Sequence, residues 1–316
     1  MPEPRLSLVV VNWNTRELLL QLLARLSEGA PFHHEILVVD NDSGDGSIEA
    51  VQRDFPSVIA LPQPKNGGFA YGVNRGLERA TGAWILLLNT DTEVRWEEIE
   101  RFLDAAERAP EAAVFGPRIV DELRREQIST WTRHRPRDYL PQALFLDRMF
   151  ATGFPAATET EVDCVSGCVF LIRRSVLAKV GGFDERFFMY FEEADFCERV
   201  RRSGAQVHFV PEASFVHVGG LSAAGAAKRT FLAFRESCLL YHAAWHGRLM
   251  TEWVRLCLLL GVTLRLCAWS VLAALGRRNR AGLYGSAFGM LVRPGLVGAL
   301  CRRPREVPAI GKEPVS

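Results

Sequence analysis

Charge of one sign is what this chain lacks first. Its 316 residues carry 38 Lys and Arg against 37 Asp and Glu, a net charge of +1. That balance gives no electrostatic footprint for nucleic acid, and no nucleic-acid partner is expected. Cysteine is sparse and unframed: seven residues, no C-x-x-C pair, and Cys164 and Cys168 without a second pair to complete a zinc site. An odd count with no framework fits a reducing compartment. The opening MPEPRLSLVVVNWN has no basic region, long apolar run or cleavage site of a secretory signal, so a cytoplasmic location is expected. No internal repeat of solenoid length occurs.

What is present alternates. Leu6 to Val11, Glu35 to Val39, Val58 to Leu61, Ala83 to Leu88 and Ala113 to Phe115 are apolar, β-branched-rich runs, the mark of buried parallel strands. Helical spacing separates them at Glu17–Leu26 (capped by Asn14 or Thr15), at Ser47–Arg53, at Phe69–Ala80 and at Trp96–Arg108. This is the α/β, Rossmann-like pattern, a mostly parallel sheet with flanking helices, whose ligands bind beyond the carboxyl ends of the strands. Asp40 and Asp91 fall at such ends. Further strands are expected at Val162–Val165, Val169–Arg173 and Gln206–Val210, the last stopped by Pro211.

Between Arg118 and Thr160 the pattern loosens. Arg124, Arg125, Arg133, His134, Arg135 and Arg137 crowd a polar stretch ahead of apolar Leu140–Phe150. This is either a partner-reading insertion or a solvated basic loop.

Composition shifts again near 225, and the chain divides into a catalytic region, 1–225, and a helical, basic and apolar region, 226–316. Leu256 to Leu275 is long enough to span a bilayer, but its central Arg265 costs about 2.5–3.5 kcal/mol on insertion scales. Basic flanks at Gly276-Arg277-Arg278-Asn279-Arg280 and Arg302-Arg303-Pro304-Arg305 fit a helix lying on the cytoplasmic membrane surface. A span and a helix buried on the catalytic region are the alternatives.

Two acidic features carry chemistry. Asn89-Thr90-Asp91 places a carboxylate on a turn after a buried strand, where it can ligate a divalent cation through oxygen. Phe187 to Arg202, FFMYFEEADFCERVRR, runs aromatics into Glu192, Glu193 and Asp195. Such a cluster builds a general base, or simply begins a helix.

Six stretches occur in one order: VVVNWN, ILVVDNDSGDGS, NGGFAYGVNRG, WILLLNTDTEV, GGFDERFFMYFEEADFCERVRRSG and VPEASFVHVGG. Over residues 5 to 222 they resemble the family 2 inverting glycosyltransferases of the GT-A fold, especially the rhamnosyltransferase-like branch. The resemblance implies a nucleoside-diphosphate sugar donor, dTDP- or UDP-linked, and transfer with inversion to a hydroxyl of an envelope glycan or lipid-linked acceptor. Asn12 and Asn14 would line the nucleotide pocket. Asp40 would touch base or ribose, unless it is only an Asx-turn anchor. The loop Asn66-Gly67-Gly68 would close on the nucleotide, Asn74 would contact the base, and Asn89 and Asp91 would face the donor. Asp91 and His217 would hold the cation, Mn²⁺ or Mg²⁺, with imidazole favouring Mn²⁺. Gly219, Gly220 and Ser222 would form a mobile loop, and Asp163 and Gly167 would border donor sugar and acceptor.

Of the acidic cluster, Glu193 would be the base, where the family usually has Asp, one methylene shorter. Glu192 would wall the pocket. Asp195, counted with them as a catalytic candidate, is alternatively a helix-surface partner of Arg199, as Glu198 is of Arg202. The Q-x-x-R-W motif of processive relatives is missing, so one sugar or a few are expected per acceptor. A sugar-1-phosphate nucleotidyltransferase would need a Gly-rich, Arg-containing loop where this chain has Asn12-Trp13-Asn14-Thr15-Arg16. An inactive sugar-nucleotide-binding module is the other alternative, since Asn89 and Glu193 depart from the commonest residues.

Overall fold

The computed structural model describes residues 3–146, 160–219, 227–275 and 280–310. Strands β1 (Leu6–Asn12), β2 (His34–Asp40), β3 (Ile59–Pro62) and β4 (Trp84–Asn89) alternate with helices α1 (Arg16–Leu26), α2 (Ser47–Asp54) and α3 (Phe69–Arg79). A short β5 (Thr92–Glu93), helix α4 (Trp96–Arg108) and β6 (Ala112–Val120) follow. Then come β7 (Thr130–Trp131), α5 (Tyr139–Ala143), β8 (Thr160–Glu161), β9 (Cys164–Val165), β10 (Val169–Arg173), α6 (Leu177–Val180), α7 (Glu192–Arg202) and β11 (Gln206–His217). Four further helices close the chain: α8 (Ala227–Trp245), α9 (Gly247–Ala274), α10 (Ala281–Leu291) and α11 (Leu296–Arg302).

The sheet runs β3-β2-β1-β4-β10-β6-β11-β5. Its first four strands are mutually parallel, as their uninterrupted apolar runs require, because both faces are covered. Antiparallel β10 then separates β4 from β6. One apolar layer lies under α1 and α4, with Leu19, Leu23, Phe102 and Leu103 against Leu8, Val10 and Leu86. The other holds α3 and α7, and there Phe183 stacks flat on Phe196 at 4.5 Å while Phe170 meets both edge-on. Such aromatic pairs add about 0.5–1.5 kcal/mol each beyond their burial. They fix α7 to the centre of the sheet.

That second layer continues through Leu239, Tyr241, Val254, Ala287 and Ile310 without a break at residue 225. The last described residues are also zipped to the turn that precedes the acidic helix. Gly182 N–H donates to the Pro308 carbonyl (2.9 Å), Glu185 N–H to the Glu306 carbonyl (2.9 Å), and Arg186 Nη1 to the Arg303 carbonyl (2.6 Å). Asp195, fully buried, binds Arg199 (2.8 Å), Trp245 Nε1 (2.9 Å) and Arg305 (2.8 Å). The Asp195–Arg199 pair expected on the helix surface is therefore the centre of an internal clasp.

β11 also differs from expectation. Pro211 does not end it, because the strand bulges between Val210 and Ser214 and resumes beside Arg118–Val120 of a lengthened β6. Bulges are where a strand tolerates proline. The extension carries His217 into register with Thr92.

Candidate active site

The site is built at the carboxyl ends of β1, β2 and β4, with one wall from α7 and one from β11. β1 and β2 end opposite each other at Asn12 and Asp40. Asn12 Nδ2 donates to Asp40 Oδ1 (2.7 Å) and to Ser43 Oγ (3.1 Å), while Ser43 N–H donates to Asp40 Oδ2 (2.9 Å). Asp40 is thus an Asx-turn anchor with both oxygens engaged. Asn14, left-handed at φ 53°, accepts from Gly44 N–H (2.8 Å). These three residues frame the loop after β2, and the exposed Asn14 leaves its side-chain NH₂ without a hydrogen-bond partner among the described residues.

Asn41, which the sequence reading passed over, lines the cleft instead. It donates to the Gly68 carbonyl (2.9 Å), and its Oδ1 is buried without a hydrogen-bond partner. Its only sequence signal is its place directly after Asp40 at a strand end.

The Asn66-Gly67-Gly68 loop is held from both sides. Asn66 Oδ1 accepts from Gly68 N–H (3.0 Å), and Phe69 N–H donates to the Phe188 carbonyl (2.8 Å). Gly68 has φ 95°, and a Cβ there would overlap that same carbonyl oxygen. Gly68→Ala is expected to cost about 1–3 kcal/mol in backbone strain alone, read as a lowered urea midpoint. An unchanged midpoint would mean the loop is not seated on Phe188.

Asn74 is elsewhere. Its amide donates to the Phe183 carbonyl and to Glu185 Oε1 (both 2.9 Å) and accepts from Phe183 N–H (2.8 Å). Its capacity is spent clamping the 183–185 turn, so the expected base contact is not made by this side chain. Asp163 is likewise occupied, by Arg201 (2.7 Å) and the Arg133 N–H (2.9 Å). Asp195, with both oxygens inside the clasp, presents none to the cleft.

The cleft, about 730 Å³ with its mouth, is walled by Val11, Trp13, Phe69, Phe188 and Met189. Asn41, Asn66, Asn89, Thr90 and Arg229 supply its polar groups. Arg229 comes from α8, beyond the boundary expected at 225, and sits over the Phe188 ring at 3.9 Å. Apolar walls with a few convergent polar groups suit a flat base attached to an anionic tail.

At the far end of β4, Asp91 is buried and its Oδ1 has no hydrogen-bond partner. His217 Nε2 lies 3.3 Å from that oxygen. Val218 N–H donates to the Asp91 carbonyl (3.0 Å) and Gln127 to the His217 carbonyl (2.8 Å), fixing the two side chains relative to each other. An orphaned buried carboxylate oxygen against an imidazole fits a divalent cation. No group of three or more His, Cys, Asp or Glu able to hold a metal occurs among the described residues. Two protein ligands leave the remaining positions to substrate oxygens and water. Gly219 follows with φ 78° beside the His217 ring, while Gly220 and Ser222 lie outside the described residues.

The acidic helix starts from two consecutive left-handed residues, Tyr190 (φ 69°) and Phe191 (φ 68°), a conformation costly for aromatic side chains. The chain is thereby turned so that Glu192 and Glu193 open α7 with no side-chain cap. Burial pushes the Glu193 carboxyl up to about 7, against the pull of first-turn amides. The Glu192 carboxyl is also pushed up, by burial and then by the Glu193 charge. One oxygen of each is buried and unpartnered. Glu193 faces Gly167, where an added Cβ would stand 3.8 Å from its own Cβ and 3.9 Å from Phe69. The next residue's carbonyl, on Cys168, accepts from Asn89 N–H (3.0 Å). The 166–168 turn therefore lies between Glu193 on one side and Asn89, at the end of β4, on the other.

The sheet order, with its cleft beyond the carboxyl ends of the parallel strands, and the family match together place the chain among the nucleotide-sugar-dependent glycosyltransferases. The model of Glycosyl transferase family 2 matches residues 7–181, more than half of the chain, and the chain belongs to that family. The Glycosyl transferase family 21 model matches residues 131–282, across position 225. An N-acetylglucosaminyl-diphospho-decaprenol L-rhamnosyltransferase of Mycobacterium tuberculosis is 31% identical over 237 residues, 67% of this chain and 75% of that protein. The low-salt glycan biosynthesis hexosyltransferase Agl10 of Haloferax volcanii is 30% identical over 211 residues, 64% and 63% of the two chains. Among solved structures, the mannosyltransferase PcManGT of Pyrobaculum calidifontis with GDP-Man and Mn²⁺ superposes with a TM-score of 0.54 at 14% identity, covering 95% of this chain and 88% of that one. At that identity it speaks for the fold alone. The rhamnosyltransferase-like branch fits these relatives.

Proposed function

We propose that this enzyme transfers a single sugar, a rhamnosyl unit or a related hexosyl unit, with inversion from a dTDP- or UDP-linked donor to a hydroxyl of a lipid-diphosphate-linked envelope glycan. The observation that carries the reading is the half-buried Glu193, with an unpartnered oxygen and a raised pKa, across the Gly167 turn from the Asp91–His217 corner. Ionised Glu193 accepts the proton of the acceptor hydroxyl as that oxygen attacks the anomeric carbon from the face opposite the nucleotide. The raised pKa of buried Glu192 disfavours a second negative charge beside it. Asn41, Asn66 and the aromatic walls orient the nucleotide, and Arg229 faces its anionic end. Asp91 and His217 would hold the divalent cation, Mn²⁺ or Mg²⁺, which supplies charge neutralisation to the departing diphosphate. The rhamnosyl unit and the lipid-diphosphate acceptor are drawn from the mycobacterial relative's name, and the preference for a metal rests on the orphaned Asp91 oxygen.

The enzyme works at the cytoplasmic face of a membrane as a peripheral protein. α9 is long and apolar enough to cross a bilayer. Its inner face, Thr251, Val254, Cys257, Gly261 and Val262, packs on the rest of the chain. Its outer face exposes Leu249, Trp253, Leu256, Leu260, Leu264 and Val271, three, four or seven residues apart. A helix bound along its flank to the catalytic half lies in the interface and does not thread through it. Arg265 is not stranded among lipid tails, since it turns to the carbonyls of Gln142 (3.2 Å) and Gly261 (3.1 Å).

The test is a melting panel of nucleotide sugars with and without Mn²⁺. One donor nucleotide is expected to raise the melting temperature, and Mn²⁺ to add a further increment. Asp91→Asn is expected to lose the Mn²⁺ increment and keep the nucleotide shift. An Mn²⁺ increment that survives in Asp91→Asn would remove the Asp91–His217 corner from the reading.

A further inference from the structure

α8 passes two cavities on successive turns. Arg229 faces the donor cleft, and five to six residues later Phe234 and Arg235 line a second cavity between α5 and α9, whose other cation is Arg265. No carboxylate lines this second cavity, and neither arginine makes an ion pair among the described residues. Arg235 Nη1 reaches only the Phe231 carbonyl of its own helix (2.7 Å), and its Nε is buried without a partner. Burial, with Arg265 adding to it, pushes the Arg235 guanidinium down to about 10. Two guanidiniums converging without a counter-charge is an arrangement that costs stability unless an anion completes it.

The surroundings say what carries that anion. Beside the cavity Leu144, Phe145 and Leu146 are exposed in a row, with the Arg265 guanidinium 4.0 Å above the Phe145 ring. α9 carries an exposed apolar stripe, Leu256, Leu260 and Leu264, on the face turned away from the residues that line the cavity. On the opposite side Phe234 touches Tyr190 (5.5 Å) and Phe191 (5.4 Å), the two residues that lead into Glu192 and Glu193. The cavity thus shares Phe234 with the aromatic pair that leads into Glu192 and Glu193.

We propose that this cavity is the acceptor's phosphate subsite: Arg235 and Arg265 bind the diphosphate of a polyprenyl-type lipid acceptor. Its chain lies over Leu144–Leu146 and the α9 stripe, and its sugar reaches past Phe234 to Glu193. The proposal rests on the lipid-linked acceptor reading above and adds where that acceptor is held. Gly261 belongs to the same device, because a Cβ there would stand 3.1 Å from Ala143 Cα and 3.0 Å from Arg265.

The experiment uses the full chain and the Arg235→Leu, Arg265→Leu double variant. Relief of the two like charges is expected to offset the lost carbonyl and ring contacts, so that the melting temperature stays near that of the parent. KM for a polyprenyl-diphosphate-linked sugar should rise about tenfold or more, while KM for the nucleotide sugar stays that of the parent. Flotation with neutral vesicles doped with a polyprenyl diphosphate should be lost in the variant, and flotation with phosphatidylglycerol vesicles should be equal for both proteins. An unchanged acceptor KM, or equal loss on both kinds of vesicle, overturns the subsite. A lowered melting temperature with unchanged KM values also overturns it, by making the two arginines structural. If the parent enzyme transfers sugar to no polyprenyl-linked acceptor at all, it is the underlying acceptor reading that fails.

Discussion

Glu193→Gln is expected to lower kcat by about 10²–10⁴ while leaving KM for the nucleotide sugar near that of the parent. The amide keeps the shape of the carboxylate and removes only its ability to accept a proton. One carboxylate oxygen has no hydrogen-bond partner in the folded protein, and the amide oxygen can keep the other's place before the main-chain N–H groups of the first turn. Glu192 is a poor substitute, because burial, which the substitution leaves in place, raises its carboxyl above the ordinary range. The donor cleft is lined by Val11, Asn41, Phe69 and Phe188 and not by Glu193, which is why donor KM should not follow kcat. Glu193→Asp restores the residue usual in the family but withdraws the carboxylate by a methylene, and it should fall between parent and amide. Full turnover by Glu193→Gln would remove the residue from the chemistry.

The largest loss of stability is expected at Asp184, which no sequence pattern marks. Its carboxylate is fully buried, as is nearly all of the Arg186 side chain it binds at 2.7 Å. It also accepts the main-chain N–H groups of Arg186 and Glu306 (both 3.2 Å). Asp184→Ala would leave a guanidinium buried without its charge partner and would release the C-terminal segment from the turn before α7. Breaking one side of such a pair costs about 3–5 kcal/mol, measurable by urea denaturation. A loss smaller than about 1 kcal/mol would mean water reaches Arg186 freely. Because the same segment carries Arg305 to Asp195 on α7, the variant should lose activity below the temperature at which it unfolds.

The parallel strands, the helices between them and the Asp91 corner were legible because buried apolar runs and strand-end carboxylates are local signals. Glu193 was legible as part of an acidic cluster, and its role was implied by the resemblance. Partners far along the chain were not legible. Asp195 reads as a surface i,i+4 acid until Trp245 and Arg305 arrive from 50 and 110 residues away. Asn74 reads as a ligand contact until the 183–185 turn, about 110 residues on, takes up its amide. Pro211 hid the second half of β11, and with it the reason why His217 stands beside Asp91. Arg229 was invisible because it reaches the donor cleft from a helix that composition had assigned to another region. The Arg265 that makes a membrane span look costly is satisfied by carbonyls at the end of α5.

The pH dependence of kcat/KM is the measurement closest to the centre of this account. The parent enzyme should show a rising limb with increasing pH, of slope one, as the free-enzyme base ionises. Its midpoint should be about 7, where burial places the Glu193 carboxyl. In Glu193→Gln the residual activity should lack that limb. A profile flat through this range in the parent, or the same limb persisting in Glu193→Gln, would contradict the assignment of Glu193 as the base.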